Sequence, residues 1–155
     1  MTFMKEATKL GYKAYSKGEI PVGAVITRNN KIISKAFNKR EKTQIATHHA
    51  EIIAIEKACK KLKSWRLDDC DIYVTLEPCP MCAGAIMNAR IKNVFFAVED
   101  CDNGGNSKYD IFNNCLNHSS KCSHLKDYET ENKQLIHNFF KSKRKIKNKK
   151  KNSPA

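Results

Sequence analysis

The chain of 155 residues has no apolar run approaching the roughly 18–20 residues that a helix needs to cross a bilayer. Its first twenty residues mix Lys, Glu and Ser into the apolar positions and lack the continuous apolar stretch of a secretory leader. These absences exclude a secreted or membrane-spanning protein and predict a cytoplasmic one. No internal repeat interrupts the reading. The seven cysteines (Cys59, Cys70, Cys79, Cys82, Cys101, Cys115, Cys122) are odd in number, which argues against a disulfide framework and for a reducing compartment. Acidic residues are missing altogether between Lys141 and Lys151.

What remains is a packed domain of ordinary size, with 41% hydrophobic and 29% charged residues. The formal net charge is +13, and eight of the basic residues fall between Lys141 and Lys151. The rest of the chain is mildly basic, and its C-terminal segment is a concentrated positive patch that draws polyanions by counterion release.

Periodicity predicts an amphipathic helix over residues 2–16, with Gly18 as its stop. Residues 20–26 and 31–37 read as a hairpin of strands about an Asn29-Asn30 turn. Residues 38–47 are loop-like. A helix follows over 48–62, with Ile52, Ile55, Cys59 and Leu62 as its buried stripe. Residues 71–76 form a strand, 79–89 a short helix with Pro80 in its first turn, and 93–98 another strand. The remainder reads as mostly helical, including 131–147. Strands alternating with helices after a hairpin predict an α/β layer with parallel neighbours.

The chemistry lies in His49-Ala50-Glu51 and Glu77-Pro78-Cys79-Pro80-Met81-Cys82. Cys-x-x-Cys on the first turn of a helix lets both sulfurs face one ion, and the helix start favours thiolates. His49, from the start of another helix, supplies a third ligand. Three protein ligands leave a position for water, the pattern of catalytic rather than structural zinc. Glu51 can sit beside the ion without ligating it and move protons. Two other readings use part of these residues: a four-ligand zinc knuckle, with His48 or Cys70 added, and a redox Cys-x-x-Cys, which leaves His-x-Glu without a role. His-x-Glu followed by Pro-Cys-x-x-Cys is the signature of zinc nucleobase deaminases.

The chain resembles the bacterial tRNA-specific adenosine deaminases (the TadA type) of the cytidine deaminase superfamily. The matching stretches are residues 19–25, Phe37-Asn38, Thr47 to Glu51, 73–86, Ala89-Arg90-Ile91 and Phe139-Phe140-Lys141, so the likeness covers nearly all of 2–144. It implies a three-layer α/β fold with a central mixed sheet of about five strands and helices on both faces. It also implies a deaminase domain over 1–144; the run of basic residues beyond it is expected to form a flexible tail over 145–155. By this resemblance His49, Cys79 and Cys82 hold one Zn2+ per subunit and Glu51 is the proton shuttle. Asn38 hydrogen-bonds the flipped nucleoside, and Val22 and Ala50 line the base pocket. The implied reaction is hydrolytic deamination of wobble adenosine to inosine, on the tRNA anticodon arm, by a homodimer. Lys143 and Arg144 are the expected phosphate contacts.

Several residues have plainer readings. His48 stands where a small residue is more usual; it is either an exposed surface histidine or a contact at the pocket edge. Cys115, His118, Cys122 and His124 have irregular spacing and read as surface or half-buried residues rather than a second metal site. Phe139-Phe140 can pack the last helix onto the sheet while its lysines face RNA. A free-base guanine or cytosine deaminase shares the zinc motif, but a small neutral base gains nothing from the basic segment. A zinc RNA-binding module without catalysis has no need of Glu51.

Overall fold

The computed structural model describes residues 2–114 and 118–154. A five-stranded sheet in the order β2-β1-β3-β4-β5 carries helices on both faces. Helix α1 (Phe3–Ser16) opens the chain, with the Thr2 hydroxyl accepting from the Lys5 amide. Strands β1 (Gly23–Arg28) and β2 (Lys31–Phe37) form the expected hairpin. Asn29 and Asn30 both take positive φ (50° and 56°), the backbone that a two-residue hairpin turn demands. The first strand begins at Gly23 rather than residue 20, because Pro21 has no amide to offer a ladder.

Helix α2 (Arg40–Thr43) is a single turn in the stretch expected to be loop. Helix α3 (Ala50–Leu62) leads to β3 (Cys70–Leu76), and α4 (Pro80–Asn88) crosses to β4 (Asn93–Val98). β1 is antiparallel to both β2 and β3, whereas β3, β4 and β5 (Lys121–His124) run parallel. The last helix, α5, spans Glu129–Lys151.

Side chains alternating along the strands feed two cores. Ala24, Ile26, Ile72, Val74, Val94 and Phe96 meet α3 and α4. Met4, Ala7, Val25, Ala97 and Val98 pack under α1, with Ile136 of α5 against them. The mixed, three-layer architecture implied by the resemblance is the one observed.

Three expectations are corrected. The buried stripe of α3 is Ala50, Ile53, Ala54 and Ala58, not Ile52, Ile55, Cys59 and Leu62, which are half-buried at the margins. Alanines let the helix axis approach the sheet, and the larger side chains then fill the flanks. Residues 121–124 form an edge strand, not helix, because the parallel ladder to β4 satisfies their backbone. The segment from 145 is helical to Lys151, since lysine and arginine favour helix and no glycine or proline intervenes.

Gly23 fixes how closely α1 lies on the sheet. A Cβ there would strike the Ala7 carbonyl oxygen and come within 2.7 Å of Leu10 Cβ and 2.9 Å of Gly11 N. Gly23→Ala is therefore expected to destabilise the fold by about 2–3 kcal/mol, seen as a lower urea midpoint at an unchanged m-value.

Candidate active site

Two helix starts converge at one end of the sheet. His49 and Cys79 are each the residue before the first helical turn, with extended backbone (φ −73°, ψ 156° and φ −67°, ψ 170°). Neither spends its side chain on capping its own helix, so both project from the helix ends toward each other. Cys82 stands one turn into α4, above Cys79. His49 Nδ1 lies 3.7 Å from Cys79 Sγ and 3.6 Å from Cys82 Sγ. All three donor atoms fall within 4.8 Å of one another, and no other such group of three occurs among the described residues. One imidazole and two sulfurs at this spacing fit a thiophilic metal ion with tetrahedral preference. Cys70 and His48 are not in the group, and no fourth protein ligand joins it among the described residues.

The three groups are coupled by hydrogen bonds. Hydrogen bonding from Cys82, reinforced by His49, pulls the Cys79 thiol down to about 4 against the opposing effect of burial. Cys82 is pushed strongly up, because it donates to Cys79 and is itself buried. Its hydrogen bond to Cys79 raises His49. Glu51, in the first turn of α3, is 4% exposed, and burial drives its carboxyl up to about 7. The charge on Cys79 pushes the same way, and His49 opposes it.

His49, Glu51 and Cys79 line a cavity of about 660 Å3, whereas Cys82 is fully buried and does not border it. Val22, Asn38 and Ala50 line it. Asn38 is buried; its Oδ1 accepts from the Arg40 amide at 3.1 Å, and its Nδ2 donates to the Ile20 carbonyl at 3.4 Å. Lys143 and Arg144 do not line the cavity. They lie on the exposed run of α5, with Lys143 Nζ 5.4 Å from the centre of the Phe139 ring. Phe139 is buried, while Phe140 is exposed and borders the cavity beside Lys133 and Ile136.

Sequence reasoning missed Arg40 on one wall and Glu99, Asp100 and Asn103 on the other. Their segments carry no periodicity; the signals were adjacency to Asn38 and to the end of a strand, and a loose likeness of the loop from Glu99 to Ser107 to the family's anticodon-facing loop, too loose to assign single contacts. His48 is corrected from the surface reading: it is half-buried, and its Nδ1 is enclosed without a hydrogen-bond partner. Of the irregular cluster, Cys115 lies outside the described residues. His118 and His124 each meet a backbone carbonyl, of Ile91 and Ala97 respectively, and Cys122 packs against the core.

The site and fold define a deaminase: the MafB19-like deaminase family matches residues 1–144. The chain is 44% identical over 146 residues to a tRNA-specific adenosine deaminase of Rickettsia bellii, covering 89% of this chain and 97% of the relative. A relative of the same name from Aquifex aeolicus is 41% identical over 144 residues, covering 92% and 94%. A Bacillus subtilis relative of that name reaches 50%, over 66% of this chain and 63% of its own length. The chain belongs to the tRNA-specific adenosine deaminase family. A solved structure from work on A-to-I editing by tRNA:A34 deaminases superposes with TM-score 0.81 at 33% identity, covering 86% of this chain and 97% of that one. The guanine deaminase of Bacillus subtilis gives 0.61 at 46% identity, over 64% of each chain.

Zinc titrated into chelator-stripped protein is expected to bind one ion per chain and to release the Cys82 proton, read with an indicator dye. Cys82→Ser is expected to abolish both the tight binding and the proton release.

Proposed function

We propose that this chain deaminates adenosine at the tRNA wobble position to inosine, with His49, Cys79 and Cys82 holding one zinc ion and Glu51 moving the protons. The observation that carries the reading is the buried Glu51 carboxyl beside a three-donor site at the floor of a cavity of base-accommodating size. The names and full-length coverage of the relatives support RNA as substrate. When bound, zinc supplies Lewis-acid activation of water at neutral pH. Glu51 takes a proton from the attacking water and delivers it to N1 of the adenine. It then carries the second proton to the departing amine, so that adenosine and water become inosine and ammonia. Asn38 anchors the flipped nucleoside, and Val22 and Ala50 pack against the base.

Lys143, Arg144 and the basic residues beyond them hold phosphates of the anticodon arm. Residues 1–144 form the catalytic domain and 145–155 a basic appendage, of which 145–151 continue helix α5. The enzyme works in the cytoplasm as a homodimer. The outer face of α4, where Met81 is exposed and Gly84 opens onto free space, supports an apolar contact between copies. Among the described residues no helix is long and apolar enough to cross a membrane.

The likeness to a guanine deaminase favours a second reading, a free-base deaminase built on the same site. The exposed basic residues of α5 weigh against it, because an uncharged base draws nothing from their field. Incubation with tRNA bearing a wobble adenosine, and separately with free guanine, cytosine and adenosine, separates the two. Inosine formed only in tRNA is expected; ammonia released from a free base would replace the first reading by the second. Glu51→Ala should retain zinc and RNA affinity but lose at least about 100-fold in kcat. Deleting residues 145–155 should spare zinc and flatten the salt dependence of RNA affinity, by about one unit of slope for each phosphate that is no longer neutralised.

A further inference from the structure

Three acidic side chains are buried among the described residues: Glu19, Glu51 and Glu77, at 1%, 4% and 2% exposure. Glu51 belongs to the proposed chemistry. The other two make no ion pair with any described lysine, arginine or histidine. A carboxylate taken out of water without a cation is costly unless its oxygens accept hydrogen bonds. Each of these two accepts them from one loop, and each loop is a wall of the cavity.

Glu19, just after α1, accepts from the amide of Lys42 at 2.8 Å and of Glu41 at 3.2 Å. Those amides sit in the short α2, directly behind Asn38 and Arg40, which line the cavity. Asn38 in turn accepts from the Arg40 amide, so the segment held by Glu19 also orients Asn38. Glu77, at the end of β3, faces the opposite wall. Its oxygens accept from the Ser107 hydroxyl at 2.8 Å, the Ser107 amide at 3.0 Å and the Asp100 amide at 3.2 Å. Gly104 packs against the same carboxylate so tightly that a Cβ there would collide with it and with the Asp100 carbonyl oxygen. The neighbouring Gly105 amide donates to the Pro78 carbonyl at 2.8 Å. The loop carrying Glu99, Asp100 and Asn103 is thereby folded down onto the segment that precedes Cys79.

We propose that Glu19 and Glu77 are positioning residues, each pinning one wall of the cavity by accepting hydrogen bonds from the loop that forms it. The proposal deepens the deaminase reading and rests on it for the consequences in turnover. Glu77 also borders the cavity, but the oxygens of both carboxylates are taken up by these loop donors, so the two residues govern how well the substrate is gripped rather than how fast it reacts. Replacing either by glutamine keeps its shape but sets an amide NH2 against N–H donors, so the segment loses one of its two acceptor oxygens and a backbone amide is left facing a donor.

The test uses Glu19→Gln and Glu77→Gln in the full-length zinc-loaded protein, with trypsin as a probe of each wall. Glu77→Gln should speed cleavage after Lys108 at least tenfold and leave cleavage after Arg40 and Lys42 unchanged; Glu19→Gln should do the reverse. Both should keep one zinc per chain. On an anticodon stem-loop with a wobble adenosine, both should raise KM about tenfold while kcat stays within about threefold. Cleavage that rises at both loops together with a lowered Tm would reduce the carboxylates to general fold stability and overturn the proposal. So would unchanged cleavage, loss of zinc, or a fall in kcat at constant KM. If a glutamine variant does not fold, Ser107→Ala and Glu19→Asp take its place, with the same loop-specific cleavage expected and its absence equally decisive. If the wild type deaminates no RNA, the deaminase reading falls, and the cleavage pattern still decides the two clamps.

Discussion

Everything at the active end of the molecule depends on two helices beginning at the same point in space. α3 and α4 each start with a residue in extended conformation, so His49 and Cys79 leave their helix ends with side chains free and aimed at each other. Both helices pack on the same face of the sheet, and α4 starts directly beyond the C-terminal end of β3. That is where open α/β sheets place their ligands, because the chain must leave a strand and enter a helix there. The two helix starts also bring their unsatisfied amides, hence positive potential, to a place where sulfur must lose a proton. Burial alone would raise both thiols; only the hydrogen bonds within the triad bring Cys79 down. The donor set is therefore built by the topology of the sheet before any ion enters it.

A division of labour follows between the parts of the fold. The three donors and Glu51 stand on helix starts locked against the sheet by Ala50, Ala54 and Ala83, residues too small to allow a gap. Cavity-lining groups such as Asn38, Arg40 and Asp100 stand in connecting segments, which carry less intrinsic order than the helices and strands. Two buried carboxylates holding those loops by their backbone amides reconcile the two needs. Apart from the Ser107 hydroxyl, the hydrogen bonds that hold these segments come from the main chain, which leaves the other side chains there free to vary.

The donor set was legible in the sequence because its chemistry needs particular residue types at helix-turn spacing, and Pro80 marks the helix start on which that spacing depends. The hairpin was legible because two adjacent asparagines tolerate the left-handed backbone its turn requires. The orientation of α3 was not. Ranking residues by hydrophobicity selects its isoleucines, whereas the sheet selects its alanines for close approach. The edge strand Lys121–His124 was hidden for a related reason: Lys-Cys-Ser-His has no alternation of its own and is a strand only because β4 offers it a ladder. The cavity walls left the faintest trace. Arg40 and Asp100 are polar residues in polar loops, and the glutamates beneath those loops look like surface charge until the loops are folded over them.

Helix α5 is where the catalytic cavity and the basic surface become one object. Leu135 and Phe139, four residues apart, are buried and seat the helix, with Tyr15 of α1 meeting the Phe139 ring edge-on at 6.1 Å. Ile136 and Phe140, one step further round, border the cavity. Beyond them the helix carries no acid, and its lysines run toward its C-terminus, where the helix dipole favours positive charge. Continuous helix carries this charge outward from the cavity at about 1.5 Å per residue, along one direction rather than as a tethered coil. A flexible tail of the same composition would raise local concentration without fixing register. The helical form of residues 145–151 thus adds orientation to the attraction that their charge alone supplies.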